Sequence, residues 1–254
     1  MGHVGDSGKS RFAALGVAIL VSIIGYGASS TRAEESARGR RADQEALKAY
    51  ASLVGGWRGV GQAERGRAKG AWTESAGWAW KLSKETAALE VTFKKGKYLK
   101  SGLLRPGQGA GTFAFEATLA DGSKRNFVGK PAGAGEIKPL LLTAEDKAPS
   151  DGVRRITMTL LHETRLLVLL EAENSDRHTF ARIGEVGYTR EGVSFAAGES
   201  YPLCIVTEGK GTIQVSHKGK SYWVCCSGCR DLFNENPGAV LAEAAEREKG
   251  KAKK

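Results

Sequence analysis

The chain has 254 residues, 41% of them hydrophobic and 26% charged, with a formal net charge of +10. That length and apolar share exclude a disordered protein and allow one large or two small folded domains. The positive charge is dispersed, without a long basic block or basic residues interleaved with aromatics, so it reads as a solvated surface able to attract anionic lipid or polymer and not as a specific nucleic-acid site.

In chain order, residues 1–33 read as a signal peptide or, if uncleaved, an N-terminal anchor able to associate with a membrane. Lys9 and Arg11 precede the apolar run Phe12 to Ala28, and small residues extend to Thr31-Arg32-Ala33. Cleavage fits after either Ala28 or Ala33. No cysteine stands near the end of the run, so a lipoprotein-type anchor is not expected. Export to the periplasm or cell envelope is the expectation. Residues 34–46, with Glu34, Glu35, Arg38, Arg40 and Arg41, read as a charged linker.

A short helix is expected next, because Leu47, Tyr50, Ala51 and Val54 recur at helical spacing and Gly55-Gly56 ends the pattern. From Trp57 the period becomes two. Trp78 and Trp80, then Leu89, Val91 and Phe93, then Phe113 and Phe115 alternate with smaller or polar residues, as in half-buried antiparallel strands. Asp121-Gly122 and Asp151-Gly152 mark tight turns, Ile156 to Leu161 and Arg165 to Leu170 flank His162-Glu163-Thr164, and Thr179 to Tyr188 is a last strand. About nine short strands are expected between residues 57 and 190, giving a mainly β domain over 47–190 that closes as an up-and-down barrel or packs as a sandwich.

Leu53-Val54-Gly55-Gly56-Trp57-Arg58-Gly59 resembles the opening of the lipocalin-like calycin barrels, in which a Gly-x-Trp element closes the barrel floor; here Gly55 and Trp57 match. The resemblance implies an interior that holds an apolar small ligand, and nitrobindin-like members hold haem through a histidine. His162 lies in a hairpin turn and His178 beside Asp176 and Arg177, so both read as surface residues and haem is not assigned.

All four cysteines, Cys204, Cys225, Cys226 and Cys229, fall near the C-terminus. Twenty residues separate Cys204 from Cys225 and three separate Cys225 from Cys229. A tight pair on a turn offers two sulfurs at once and a distant third closes the shell, and thiolates favour zinc, copper(I) and similar soft ions. Ile213 and Val215, a turn at His217 to Lys220, and the returning Ser221 to Val224 predict a hairpin that brings Cys204 to the Cys225 end. Leu232, Phe233, Val240 and Leu241 then line a helical tail interrupted near Pro237.

Tyr201 to Cys204, Gly219 to Cys229, Phe233 and Pro237 resemble the TRASH and YHS metal-binding modules, which implies a treble-clef-like ββα unit over 199–246, followed by a basic tail at 247–254. The resemblance implies Cys204, Cys225 and Cys229 as ligands, with Val224 departing from the usual aromatic residue. Cys226 is extra to that pattern, either a fourth ligand or a free thiol. Structural disulfides are the competing reading for an exported chain. Against them, pairing Cys225 or Cys226 with Cys229 would close only a very small ring.

Catalysis is not expected. Gly107 to Gly111 has no helix behind it to cradle a phosphate, and Glu171 and Glu173 read as one solvated strand face. The reading is therefore an exported heavy-metal-binding protein acting as sensor, carrier or chaperone. The alternative is a small-ligand-binding barrel whose zinc module only supports the fold.

Overall fold

The computed structural model describes residues 39–133, 137–146, 152–174, 179–192 and 201–251. The expected signal segment 1–33, the first part of the expected linker, Asp151, His178 and residues 252–254 lie outside the described residues. The side chain of His162 does also.

The alternating segments form ten strands: β1 (Gly55–Gln62), β2 (Trp72–Leu82), β3 (Ala87–Lys94), β4 (Leu99–Pro106), β5 (Phe113–Leu119), β6 (Lys124–Pro131), β7 (Leu140–Ala144), β8 (Arg155–His162), β9 (Arg165–Asn174) and β10 (Thr179–Arg190). Each pairs antiparallel with the next, and β1 pairs with β10, so the sheet closes into an up-and-down barrel. Closure leaves no open sheet edge along the paired strands.

The sequence count of about nine is one strand short, and β4 shows why such strands are hard to read. Its inward positions include Gly102, where a Cβ would lie 2.1 Å from the Phe115 ring, and its pairing with β5 slips between Leu99 and Ser101. A glycine facing inward and a bulge both erase the period-two signal.

Inward residues fill the barrel. Trp57, Leu89, Val91, Leu104, Phe115, Phe127, Leu140, Leu142 and Ile156 have no accessible surface, so no water-sized space adjoins these side chains. Glu171, expected on a solvated face, is instead buried in a bidentate pair with Arg155 at 2.6 and 2.7 Å.

A 3₁₀ helix (Lys48–Leu53) closes one end of the barrel and buries Tyr50 and Leu53. Trp57 donates its indole N–H to Leu53 O at 2.7 Å. The Arg190 guanidinium lies 4.3 Å from the Trp57 ring centroid and donates to Val54 O at 2.7 Å and to Ser52 O. One arginine thus satisfies carbonyls left free at the helix end while stacking on the indole.

Where a solvated linker is expected, residues 39–46 form a helix, α1. Arg40 on it is buried and donates to Glu243 at 2.5 Å, and Asp43 accepts the Ala87 N–H at 3.0 Å. The C-terminal region contains the hairpin β11 (Ile213–His217) and β12 (Lys220–Val224), then α2 (Ser227–Glu235) and α3 (Pro237–Lys251). Residues 247–251, expected as a basic tail, continue α3, and Arg247 reaches back to Ile205 O at 2.5 Å. Helix α1 therefore joins the barrel at Ala87 to α3 at Glu243.

Trp57→Ala removes a fully buried ring, its hydrogen bond and the seat of Arg190, and should lower unfolding stability by about 3–5 kcal/mol in chemical denaturation. Burial pushes the Tyr50 hydroxyl up to about 12. Its folded value lies above that of the unfolded chain, so its contribution is intact below about pH 10 and is lost as pH rises through about 12. Tyr50→Phe should flatten that alkaline loss in denaturation curves measured at pH 9 and pH 11.5; an unchanged slope would show that another group is responsible.

Candidate metal centre

The four cysteines come from two segments joined by the β11–β12 hairpin. Lys218 and Gly219 both have positive φ, 49° and 76°, which produces the tight turn that reverses the strand. Register then runs from His217 opposite Lys220 at the turn to Ile213 opposite Val224 at the other end. Cys225 and Cys226 follow Val224 immediately. His217, at the turn, is held at the far end of the hairpin from them.

Cys204 opens a compact loop. Its N–H donates to Gly209 O at 2.7 Å, and the Glu208 N–H donates back to Cys204 O at 2.8 Å, with Glu208 in the left-handed region at φ 60°. The loop is tied to β12 by the Ile205 N–H to Trp223 O at 2.8 Å. On the return, Thr212 donates its N–H to Val224 O at 2.9 Å and its hydroxyl to Cys225 O at 3.0 Å. These backbone bonds fix Cys204 against Cys225 independently of the sulfurs.

Helix α2 supplies the rest. Cys226 is its N-cap and Cys229 lies in its first turn, so the sulfurs gather where unpaired N–H groups and the helix dipole favour negative charge. The sulfurs of Cys204, Cys225 and Cys229 all lie within 4.8 Å of one another, and Cys225 Sγ is 3.5 Å from Cys229 Sγ. Thiolates about 2.3 Å from a tetrahedral zinc stand roughly 3.8 Å apart, so the trio has the spacing and donor type of a soft-metal shell. All four cysteines are buried, and none is in a disulfide. The Thr207 hydroxyl adds a polar contact to Cys225 Sγ at 3.4 Å.

Crowding divides the protons unequally among these sulfurs. Contacts from Cys225 and then Cys229 hold Cys204 and Cys226 well below the ordinary thiol range. Cys225 is pushed up chiefly by its contact with Cys204, and Cys229 by Cys204 and then Cys225. A bound cation could take the place of the protons these sulfurs share.

Cys226 falls outside the group whose sulfurs all lie within 4.8 Å of one another, yet its Sγ is 3.9 Å from Cys225 Sγ, and it also accepts the backbone N–H of Trp80 at 3.3 Å. That contact, the Thr207 hydroxyl and the close approach of Gly228 to the Trp80 carbonyl, where a Cβ would lie 1.7 Å from the oxygen, are not announced by cysteine spacing; the glycine itself is the local signal of a close backbone approach. A cleft of about 530 Å³ between the barrel end and the hairpin is lined by Arg190, Tyr201, Lys210 and Cys225, among others, so Cys225 is the sulfur that borders it.

No protein-family model and no curated protein matches the chain. The crystal structure of Rv2717c from M. tuberculosis is similar at 18% identity and a TM-score of 0.40, covering 57% of this chain and 97% of that one, a likeness too slight to bear on the site.

Burial of four free thiols has a direct consequence. In native, metal-free protein they should react with a thiol reagent at least about tenfold more slowly than in denaturant, where four per chain should titrate. Finding none in denaturant would establish that the chain is disulfide-bonded in solution.

Proposed function

We propose that this is an exported, non-catalytic protein of the cell envelope that binds a soft metal ion, zinc or copper(I), and serves as a metal sensor, carrier or chaperone. The observation that carries the reading is the convergence of Cys204, Cys225 and Cys229 from segments far apart in the chain. Burying three sulfurs together has no packing advantage over burying apolar side chains, and it suits a ligand that thiolates bind strongly. A TRASH/YHS-type module accounts for the same ligands and the hairpin between them.

Each residue then has a task. The Cys204 loop and the Cys225 end of β12 are prefolded by backbone bonds, so binding requires little rearrangement. The α2 N-terminus offsets the negative charge of the thiolates. A bound soft cation would supply the positive charge that holds three thiolates together in place of shared protons. Export rests on the apolar run Phe12 to Ala28 behind Lys9 and Arg11. Among the described residues no helix is long and apolar enough to cross a membrane.

A second reading places an apolar small ligand in the barrel and leaves zinc a structural part. Trp78 Nε1, buried without a hydrogen-bond partner, favours it by offering a donor to a guest. The interior side chains with no accessible surface weigh against it.

Elemental analysis of the full chain purified from the cell envelope tests the first reading. About one zinc or copper per chain is expected, with loss of at least 90% in Cys225→Ser/Cys229→Ser. A metal-free wild-type chain with four titratable thiols would sink it and turn attention to the barrel.

A further inference from the structure

Strand β2 extends beyond its partner on one side. Trp78 is the last β2 residue in register with β1, opposite Gly55, and β2 continues to Leu82. Backbone groups in that extension that face away from β3 need partners from elsewhere. For the Trp80 N–H that partner comes from the turn that starts α2. The N–H donates to Cys226 Sγ, and the Trp80 carbonyl comes so close to Gly228 that a Cβ there would lie 1.7 Å from the oxygen. Two features of the Cys225-Cys226-Ser227-Gly228-Cys229 turn, a sulfur acceptor at Cys226 and a missing side chain at Gly228, therefore meet one residue of the barrel.

The same turn carries two of the three clustered sulfurs. Cys225 precedes Cys226 directly, and Cys229 follows Gly228, so whatever fixes the trio also fixes the surface presented to Trp80. Cys226 is outside the group whose sulfurs all lie within 4.8 Å of one another.

We propose that Cys226 is not a metal ligand but the positioning residue that seats the metal module on the barrel, so that metal loading and seating of α2 on β2 strengthen each other. The coupling half of this inference rests on the metal-binding reading; the seating half rests on the Trp80 contacts. Coupling is reciprocal: if metal tightens the seat, loss of the seat must weaken metal binding by the same factor. The metal state of the three thiolates would thereby be reported on the barrel surface.

The test uses the full chain and cadmium, whose bonds to thiolates absorb in the ultraviolet, together with hydrogen exchange at the Trp80 amide. In Cys226→Ala, about one cadmium per chain and the wild-type absorption per metal should persist, while the Trp80 amide exchanges about tenfold faster. Gly228→Ala, which keeps every thiol, should speed the same amide. Cys226→Ser, with an oxygen still able to accept, should restore part of the protection. In the wild type, cadmium should slow Trp80 exchange further.

A lower absorption per cadmium in Cys226→Ala would make Cys226 a ligand and overturn the inference. Unchanged Trp80 protection in both Cys226→Ala and Gly228→Ala would overturn it equally. Should wild type take up no cadmium, the metal reading and the coupling fail together, and Trp80 exchange in the metal-free variants still decides whether Cys226 seats the module.

Discussion

Strand β2 outlasts β1, and the polar backbone at its free flank has to be satisfied by something other than a strand. That constraint determines where the C-terminal module sits. A sulfur accepts the Trp80 N–H, a glycine lets the helix approach the Trp80 carbonyl, and the cysteine turn is brought against the barrel wall. On the other side of the module, α1 bridges Ala87 and Glu243, so the module is held both at its cysteine turn and through α3. The ion pair of buried Arg40 with Glu243 is worth more than an exposed one only because both of its partners are fixed by the elements around them.

The barrel supplies a rigid support. Its closure by β1 and β10 leaves few ways to deform, and its floor is locked by one stack in which Arg190 covers Trp57 and bonds the carbonyls of the 3₁₀ helix. Burial lowers the proton affinity of that guanidinium, but Arg190 remains charged at any ordinary pH. Apolar side chains dominate the interior, with Glu74 buried among them and accepting hydrogen bonds from the Tyr188 hydroxyl and the Trp72 indole. The densest set of metal-type donors in the described structure lies in the hairpin module.

The cysteine site combines two forms of preorganisation. Backbone hydrogen bonds hold Cys204 beside the end of β12, and the helix terminus gathers Cys225, Cys226 and Cys229 where negative charge is favoured.

Much of this was legible in the residues. Period two gave the antiparallel strands because a strand with one buried face must alternate, and clustered cysteines pointed to a metal site because a turn and a hairpin can bring such positions together; the trio Cys204, Cys225 and Cys229 came from the resemblance to TRASH and YHS modules, and the structure brings those three sulfurs together. Segments whose partners lie far away in sequence were not legible. Arg40 reads as a solvated charge until Glu243 is beside it, Glu171 as an exposed strand residue until Arg155 grips it, and β4 as irregular until the Phe115 ring explains Gly102. Sequence alone determined which residues could share a face or a metal, since those rules are local and periodic. Only the tertiary structure decided that Cys226 faces Trp80 and leaves the other three sulfurs together, because that choice depends on where one strand ends relative to another.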